Sequence, residues 1–385
     1  MLLRAWTVLA CLLSACGGPP PAAGPRPTEG VDDQAFEALD EPPSLTEVAR
    51  SSRQWTGVAV TAAGRVFVSY PRWSDDVPVS VAWLEGLSEA GPVDAQPVPF
   101  PDEAWNGWRE GDPTEDRWVA VQSVVVDAED RLWVLDTGNP RFGGVIDGAP
   151  KLVAFDPRSG EELLRVAFAS PAITERSYLN DVRVDAGADH AYLTDSGDGA
   201  LVVVDLSTGE ARRLLDDHPF TEAEPGLVIT VEGEPWLRGG EPPRVHADGI
   251  ALDPRERHLY FKALSGAELY RVSLDALDDP ALSDAELAAR VEHVASPGPA
   301  DGLLFGPDRR VWITAIERFG LEAFVPESGE VVGVLVDARL AWPDSLAAGP
   351  DGAIWVTSSQ IHRAPDPAEP YRLFRVDASA LEAGR

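Results

Sequence analysis

The sequence predicts an all-β fold: a six-bladed β-propeller of four-stranded antiparallel blades, its ring closed by an N-terminal strand. Three observations predict it. A phrase consisting of a polar residue, a short apolar strand, a turn and a second strand recurs along the chain. The phrases align on Thr56, Gln122, Asn180, Asp248, Asp301 and Asp344, six positions 43 to 68 residues apart. Long helical periodicity is nearly absent, with one short helix expected between Ser283 and Glu292. Four-stranded units repeated in series suggest a propeller, in which blades packed around an axis bury faces that a lone sheet would expose. A pair of β-sandwiches would explain the strands but not a polar residue returning at one phase.

Residues 1–16 read as a targeting segment, with Arg4 before a short apolar run from Ala5 to Leu13. That run is too short for a membrane-spanning helix, which needs about 20 residues, so it reads as a signal peptide. Leu13-Ser-Ala-Cys16 resembles a bacterial lipobox. The expectation is therefore a lipoprotein exported to the cell envelope of a bacterium and lipidated at Cys16, with ordinary secretion as the alternative. Residues 17–43 are rich in Pro, Gly and Ala and cannot bury a core, so they read as a disordered tether. Loss of the leader removes Cys11 and leaves Cys16 alone, so the domain at 44–385 carries no internal disulfide and must be stabilised by packing.

The formal net charge is −32, with 64 acidic against 32 basic residues. That balance excludes nucleic acid as a partner, because phosphate binding needs a basic footprint. It also leaves the lipid anchor as the one expected membrane contact, with a monomer expected. It is compatible with attraction of cations, either metals or amines, and with a merely solvating surface.

The second unit shows the blade pattern most plainly. Ser123–Val126 and Leu132–Leu135 are followed by Lys151–Phe155 and Glu162–Phe168. Asp156-Pro-Arg-Ser-Gly160 joins the last two, and Asp205-Leu-Ser-Thr-Gly209 does so in the third unit, both with hairpin chemistry. The last unit lacks a convincing outer strand, so Leu45 to Arg50 is expected to supply it and close the ring. Trp133, Trp312 and Trp355 hold equivalent places in second strands and read as blade core. Trp73, Trp83, Trp105, Trp108 and Trp118 cluster in the first insertion, as a packed loop or an aromatic pocket. Asp216 to Arg244 is a second insertion and a candidate lid.

Trp133-Val-Leu-Asp-Thr-Gly138, Tyr178-Leu-Asn-Asp181, Ala191-Tyr-Leu-Thr-Asp195, His246-Ala-Asp-Gly249 and Ala341-Trp-Pro-Asp-Ser345 carry a family resemblance. Between about Gln54 and Val376 the chain resembles the major royal jelly and yellow protein family, in its bacterial, dopachrome tautomerase-related branch. It is more distantly similar to gluconolactonase-type propellers. The resemblance implies six blades, and a small molecule bound at the central channel by an isomerase or a lactonase-like hydrolase. A non-catalytic protein binding an amine or aromatic ligand, and an envelope scaffold, are the alternatives. The gluconolactonase likeness implies calcium held at the channel end of inner strands.

If the phase is right, Asn180, Asp248, Asp301 and Asp344 meet at one channel mouth, with Gln122 and Thr56 completing the ring. Gln122, Asn180, Asp181, Asp248 and Asp344 are the expected ligand-binding residues. Asn180, Asp248, Asp301 and Asp344 form an all-oxygen set suited to Ca2+ or another divalent cation. Without a cation the carboxylates repel one another and hold protons more tightly. The structural alternative is that each Asp caps a turn. His246 and Asp301 are the candidate acid/base pair, with His362 a further candidate. Asp136 and Asp195 read as loop-opening Asx turns.

Overall fold

The computed structural model describes residues 42–378 apart from 76, 89, 90, 365, 366 and 368. The leader, Cys16 and all but the last two residues of the tether lie outside the described residues. Six sheets form a ring. From the axis outward, the first blade is Val58–Val60, Val66–Ser69, Val81–Glu85 and Gln96–Pro99. The second is Val121–Val126, Leu132–Asp136, Lys151–Phe155 and Glu162–Ala167. Leu179–Asp185, His190–Asp195, Ala200–Asp205 and Ala211–Leu214 build the third. The fourth has Ala247–Asp253, His258–Ala263, Leu269–Ser273 and Glu292–Ala295. The fifth has Ala300–Phe305, Val311–Ala315, Gly320–Val325 and Glu330–Val336.

The sixth blade joins the two ends of the chain. Pro343–Ala348, Ile354–Ser358 and Tyr371–Val376 take Leu45–Ser51 as their fourth, antiparallel strand. Glu47 fixes that strand through Arg50 beside it and Arg372 across the pair. Each inner strand touches the inner strand of the next blade, and the sixth touches the first. The ring is closed without a free inner edge.

Alternation along the strands fills the spaces between blades. Tyr192 and Val203 face the fourth blade, whereas Leu193 and Val202 face the second. The same division gives one apolar core at each of the six blade junctions. Trp133 and Trp312 are fully buried there, each donating its indole N–H to a turn carboxylate, Asp127 and Asp308. Helix is confined to short connections. Ser283 and Glu286 form a capping box on Asp284–Ala288. The expected helix to Glu292 stops early because Glu292–Ala295 is needed as the outer strand of the fourth blade.

Candidate functional site

Every inner strand from the second blade to the sixth is broken by a β-bulge at the aligned polar residue. Pairing slips between Val121 and Ser123, Leu179 and Val182, Ala247 and Ile250, Ala300 and Leu303, and Pro343 and Leu346. A bulge bends its strand and re-aims a side chain. Here it turns Gln122, Asn180, Asp248, Asp301 and Asp344 into one cavity at the channel mouth. The glycines after two of these residues have a steric reason. A Cβ on Gly249 would lie 2.6 Å from the Asp301 carbonyl oxygen, and one on Gly302 2.1 Å from that of Asp344. The Asp-Gly pairs therefore let neighbouring blades approach. The named partners of Asp248 and Asp301 are side-chain donors, Asn180 and Trp342, and not turn N–H groups.

The cavity encloses about 1480 Å³. Trp73, Phe142, Tyr178, Trp236 and Ile361 contribute apolar wall, and the five ring residues form a polar floor. Floor and wall are wired together. Trp73 Nε1 donates to the Tyr178 hydroxyl at 2.7 Å, and that hydroxyl donates to Gln122 Oε1 at 2.8 Å. Asn180 Nδ2 donates to Asp248 Oδ2 at 2.7 Å and to Ser196 Oγ at 3.0 Å. Trp342 Nε1 donates to Asp301 Oδ2 at 2.7 Å, and Ser345 Oγ to Asp344 Oδ1 at 3.1 Å.

The floor carboxyls are only 3 to 8% exposed. Burial, followed by the neighbouring charge of Asp301, lifts the pKa of Asp248 and of Asp344 well above the usual carboxylate range. Burial raises Asp301 to about 7, although the Trp342 N–H opposes the shift. Lys262 lies fully buried nearby, donating to the carbonyls of Ala263 and Gly266. Burial lowers its pKa to about 7 against the pull of Asp248 and Asp301. Its register explains its place. Ser69, Thr194 and Thr357, at the corresponding position of other blades, donate to the ring-residue carbonyls of Gln122, Asp248 and Thr56.

Several sequence expectations are corrected. Thr56 is buried and donates to the Gln122 carbonyl, so it does not complete the ring. Asp181 points away from Asn180 and lines a smaller hollow at the opposite mouth with Ser123 and Arg183. It is not part of the ligand floor. His246 is not among the cavity residues; its Nδ1 accepts the Ala223 N–H, tying down the second insertion. His362 stacks on Trp342 behind the wall. Asp136 and Asp195 do organise loops, accepting backbone N–H groups and pairing with Lys151 and Arg213. Of the first-insertion tryptophans only Trp73 reaches the cavity; Trp105 and Trp118 pack on Phe155.

The second insertion does cover this face. A hairpin of Thr230–Val231 and Glu234–Pro235 places Trp236 edge-on against Trp342, with ring centroids 4.7 Å apart. Arg363 and His362 hold Glu232 at its tip. Phe142, Trp236 and Arg238 were missed in the sequence, since only insertions of no fixed register carry them.

The oxygens of this floor are partly engaged by protein donors. The Asn180 amide turns its NH2 toward Asp248, and Trp342 occupies one oxygen of Asp301. Among the described residues no three His, Cys, Asp or Glu side chains gather closely enough to hold an ion. As placed, these contacts engage oxygens that a divalent cation would need.

Similarity to known proteins agrees with the architecture. A gluconolactonase from Xanthomonas campestris superposes with a TM-score of 0.51 at 15% identity, over 89% of this chain and 97% of that one. A luciferin-regenerating enzyme superposes with a TM-score of 0.51 at 11% identity, over 87% and 95% of the two chains. Both likenesses concern the fold alone. In sequence, the dopaminechrome tautomerase of Drosophila melanogaster is 28% identical over 225 residues, which is 55% of this chain and 46% of that protein. Major royal jelly protein 7 of Apis mellifera is 26% identical over 223 residues, 52% and 46% of the two. The matches thus span about half the length of these relatives. The family model described as major royal jelly protein matches residues 119–364, from the second blade into the sixth, and the chain belongs to that family.

Proposed function

We propose that this propeller binds a small aromatic ligand bearing a cationic or hydrogen-bond-donating group, and isomerises it by proton transfer at the channel floor. One observation carries the reading: three buried carboxyls with raised proton affinity meet beneath an aromatic wall. Carboxyls of ordinary pKa would all be ionised at neutral pH and could act only as bases. Here the set retains protons near pH 7, so one member can accept a proton while a neighbour donates one. In a tautomerisation, an ionised floor carboxylate takes a proton from ligand carbon. A protonated neighbour delivers another to the ligand oxygen or nitrogen at the far end of the conjugated system. The floor finishes with the same number of protons, and no redox partner is needed. The likeness to a dopaminechrome tautomerase supports this choice over lactone hydrolysis.

Substitution tests the reading. Asp301→Asn and Asp248→Asn should each lower tautomerisation of an aminochrome by at least about 100-fold, within the range typical of acid–base groups, with an unchanged circular dichroism spectrum. His246→Ala should retain activity. Saturable binding of tryptamine without turnover of an aminochrome or a δ-lactone would leave a non-catalytic binding protein. Absence of both would leave a scaffold. A saturable calcium heat that disappears in Asp301→Asn would replace proton transfer by a metal-assisted route. Export and lipid anchoring through Cys16 belong to the same proposal; they require fatty-acid labelling that Cys16→Ser abolishes, and labelling that persists in that variant would refute them.

A further inference from the structure

The cavity is lined by charges at two levels. The carboxyls of Asp248, Asp301 and Asp344 lie on the floor, whereas Arg176, Arg213, Arg238 and Arg244, with Asp147, Glu175 and Asp216 among them, belong to the segments above it. Two of these cations are already neutralised: Arg176 pairs with Asp198, and Arg213 with Asp195 and Asp216. Arg238 and Arg244 have no carboxylate within ion-pair distance among the described residues, in a chain with twice as many acidic as basic residues. Arg244 has only a long contact of 3.5 Å to the Ala223 carbonyl.

Arg238 is held in place without being neutralised. Its guanidinium carbon lies 5.7 Å from the centroid of the Trp236 ring and 6.0 Å from that of Phe142. Phe142 is itself stacked on Tyr178, and Trp236 packs edge-on against Trp342. The backbone of Arg238 is pinned by paired N–H···O bonds with Glu241. Cation–π contacts orient a guanidinium and leave its in-plane N–H groups free to meet an anion. This is an arginine preorganised on aromatic faces beside a cavity, with its donors unused.

We infer that Arg238, seconded by Arg244, forms an anion subsite at the outer end of the cavity, so that the ligand is an aromatic compound carrying a carboxylate or similar anionic group away from the end that meets the floor. The inference rests on the floor being the ligand site. It adds a residue that sets specificity: Arg238 would select aromatic acids and zwitterions over simple aromatic amines.

The test is calorimetry with 5-carboxytryptamine, tryptamine and indole-3-propionate on the wild-type protein and on Arg238→Gln. The wild type should bind 5-carboxytryptamine, whose carboxylate sits on the ring edge remote from the amine, at least about tenfold more tightly than tryptamine, the size of one charge-assisted contact. Arg238→Gln should erase that preference and leave tryptamine affinity within about twofold. Equal or tighter binding of tryptamine to the wild type, or a preference that survives Arg238→Gln, overturns the anion subsite. If tryptamine binding is nevertheless lost in Asp301→Asn, the floor reading stands alone. Failure of all three probes to bind overturns both.

Discussion

Asp301 carries a proton affinity that its position imposes. Burial lifts its pKa from 3.8 to about 7, so between those values the folded protein holds a proton that the unfolded chain releases. By linkage, stability is then greatest below the unfolded value and declines as pH rises through the folded one. Asp248 and Asp344 shift in the same direction and titrate with it as a set. Asp301→Asn should therefore raise the melting temperature at pH 8 and flatten its fall between about pH 4 and 8; an unchanged or steeper slope in differential scanning calorimetry would show that the carboxyl is not held protonated. The recurrence of Asp before Gly was legible in the sequence, but the directions of its neighbours were not. Asn180 and Asp181 are adjacent in sequence yet serve opposite mouths, because both lie within the bulge that breaks regular pairing there. His246 shares the channel-mouth segment but is spent on a loop N–H.

The closing strand shows at the level of elements how the two chain ends depend on each other. Leu45–Ser51 was recognisable because the last unit lacked an outer strand, and it pairs with Tyr371–Val376 across its whole length. Its removal would expose the backbone of Tyr371–Val376 and strip Ala49 from the core that Tyr371 and Leu373 share. Deletion through Arg50 should lower the melting temperature by at least about 10 °C, the equivalent of a few kcal/mol in a domain of this size. A truncated protein melting with the full chain would show that the ring closes otherwise. The bulges were legible only in part. A polar residue at one phase marked where they lie, but the slip that aims it inward depends on pairing with the second strand. The second insertion was recognisable as a lid by its length, whereas its aromatic and arginine contributions depend on a hairpin that no periodicity announces.

For the whole molecule, six similar sheets place five polar side chains, three of them Asp, on one floor. Architecture was legible because packing repeats with the chain: each blade junction needs the same alternation and each bulge the same phase. Chemistry was less so, because proton affinity follows from burial and from charges contributed by different blades. Lys262 illustrates this, a cation where other blades carry a hydroxyl. The central claim is that this floor receives the ligand, and a crystal structure of the tryptamine complex tests it most directly. The account predicts the amine within hydrogen-bond distance of Asp248 or Asp301, with the indole between Phe142 and Trp236. Tryptamine seated at the opposite mouth beside Asp181 and Arg183, or on the outer surface of the blades, would contradict it.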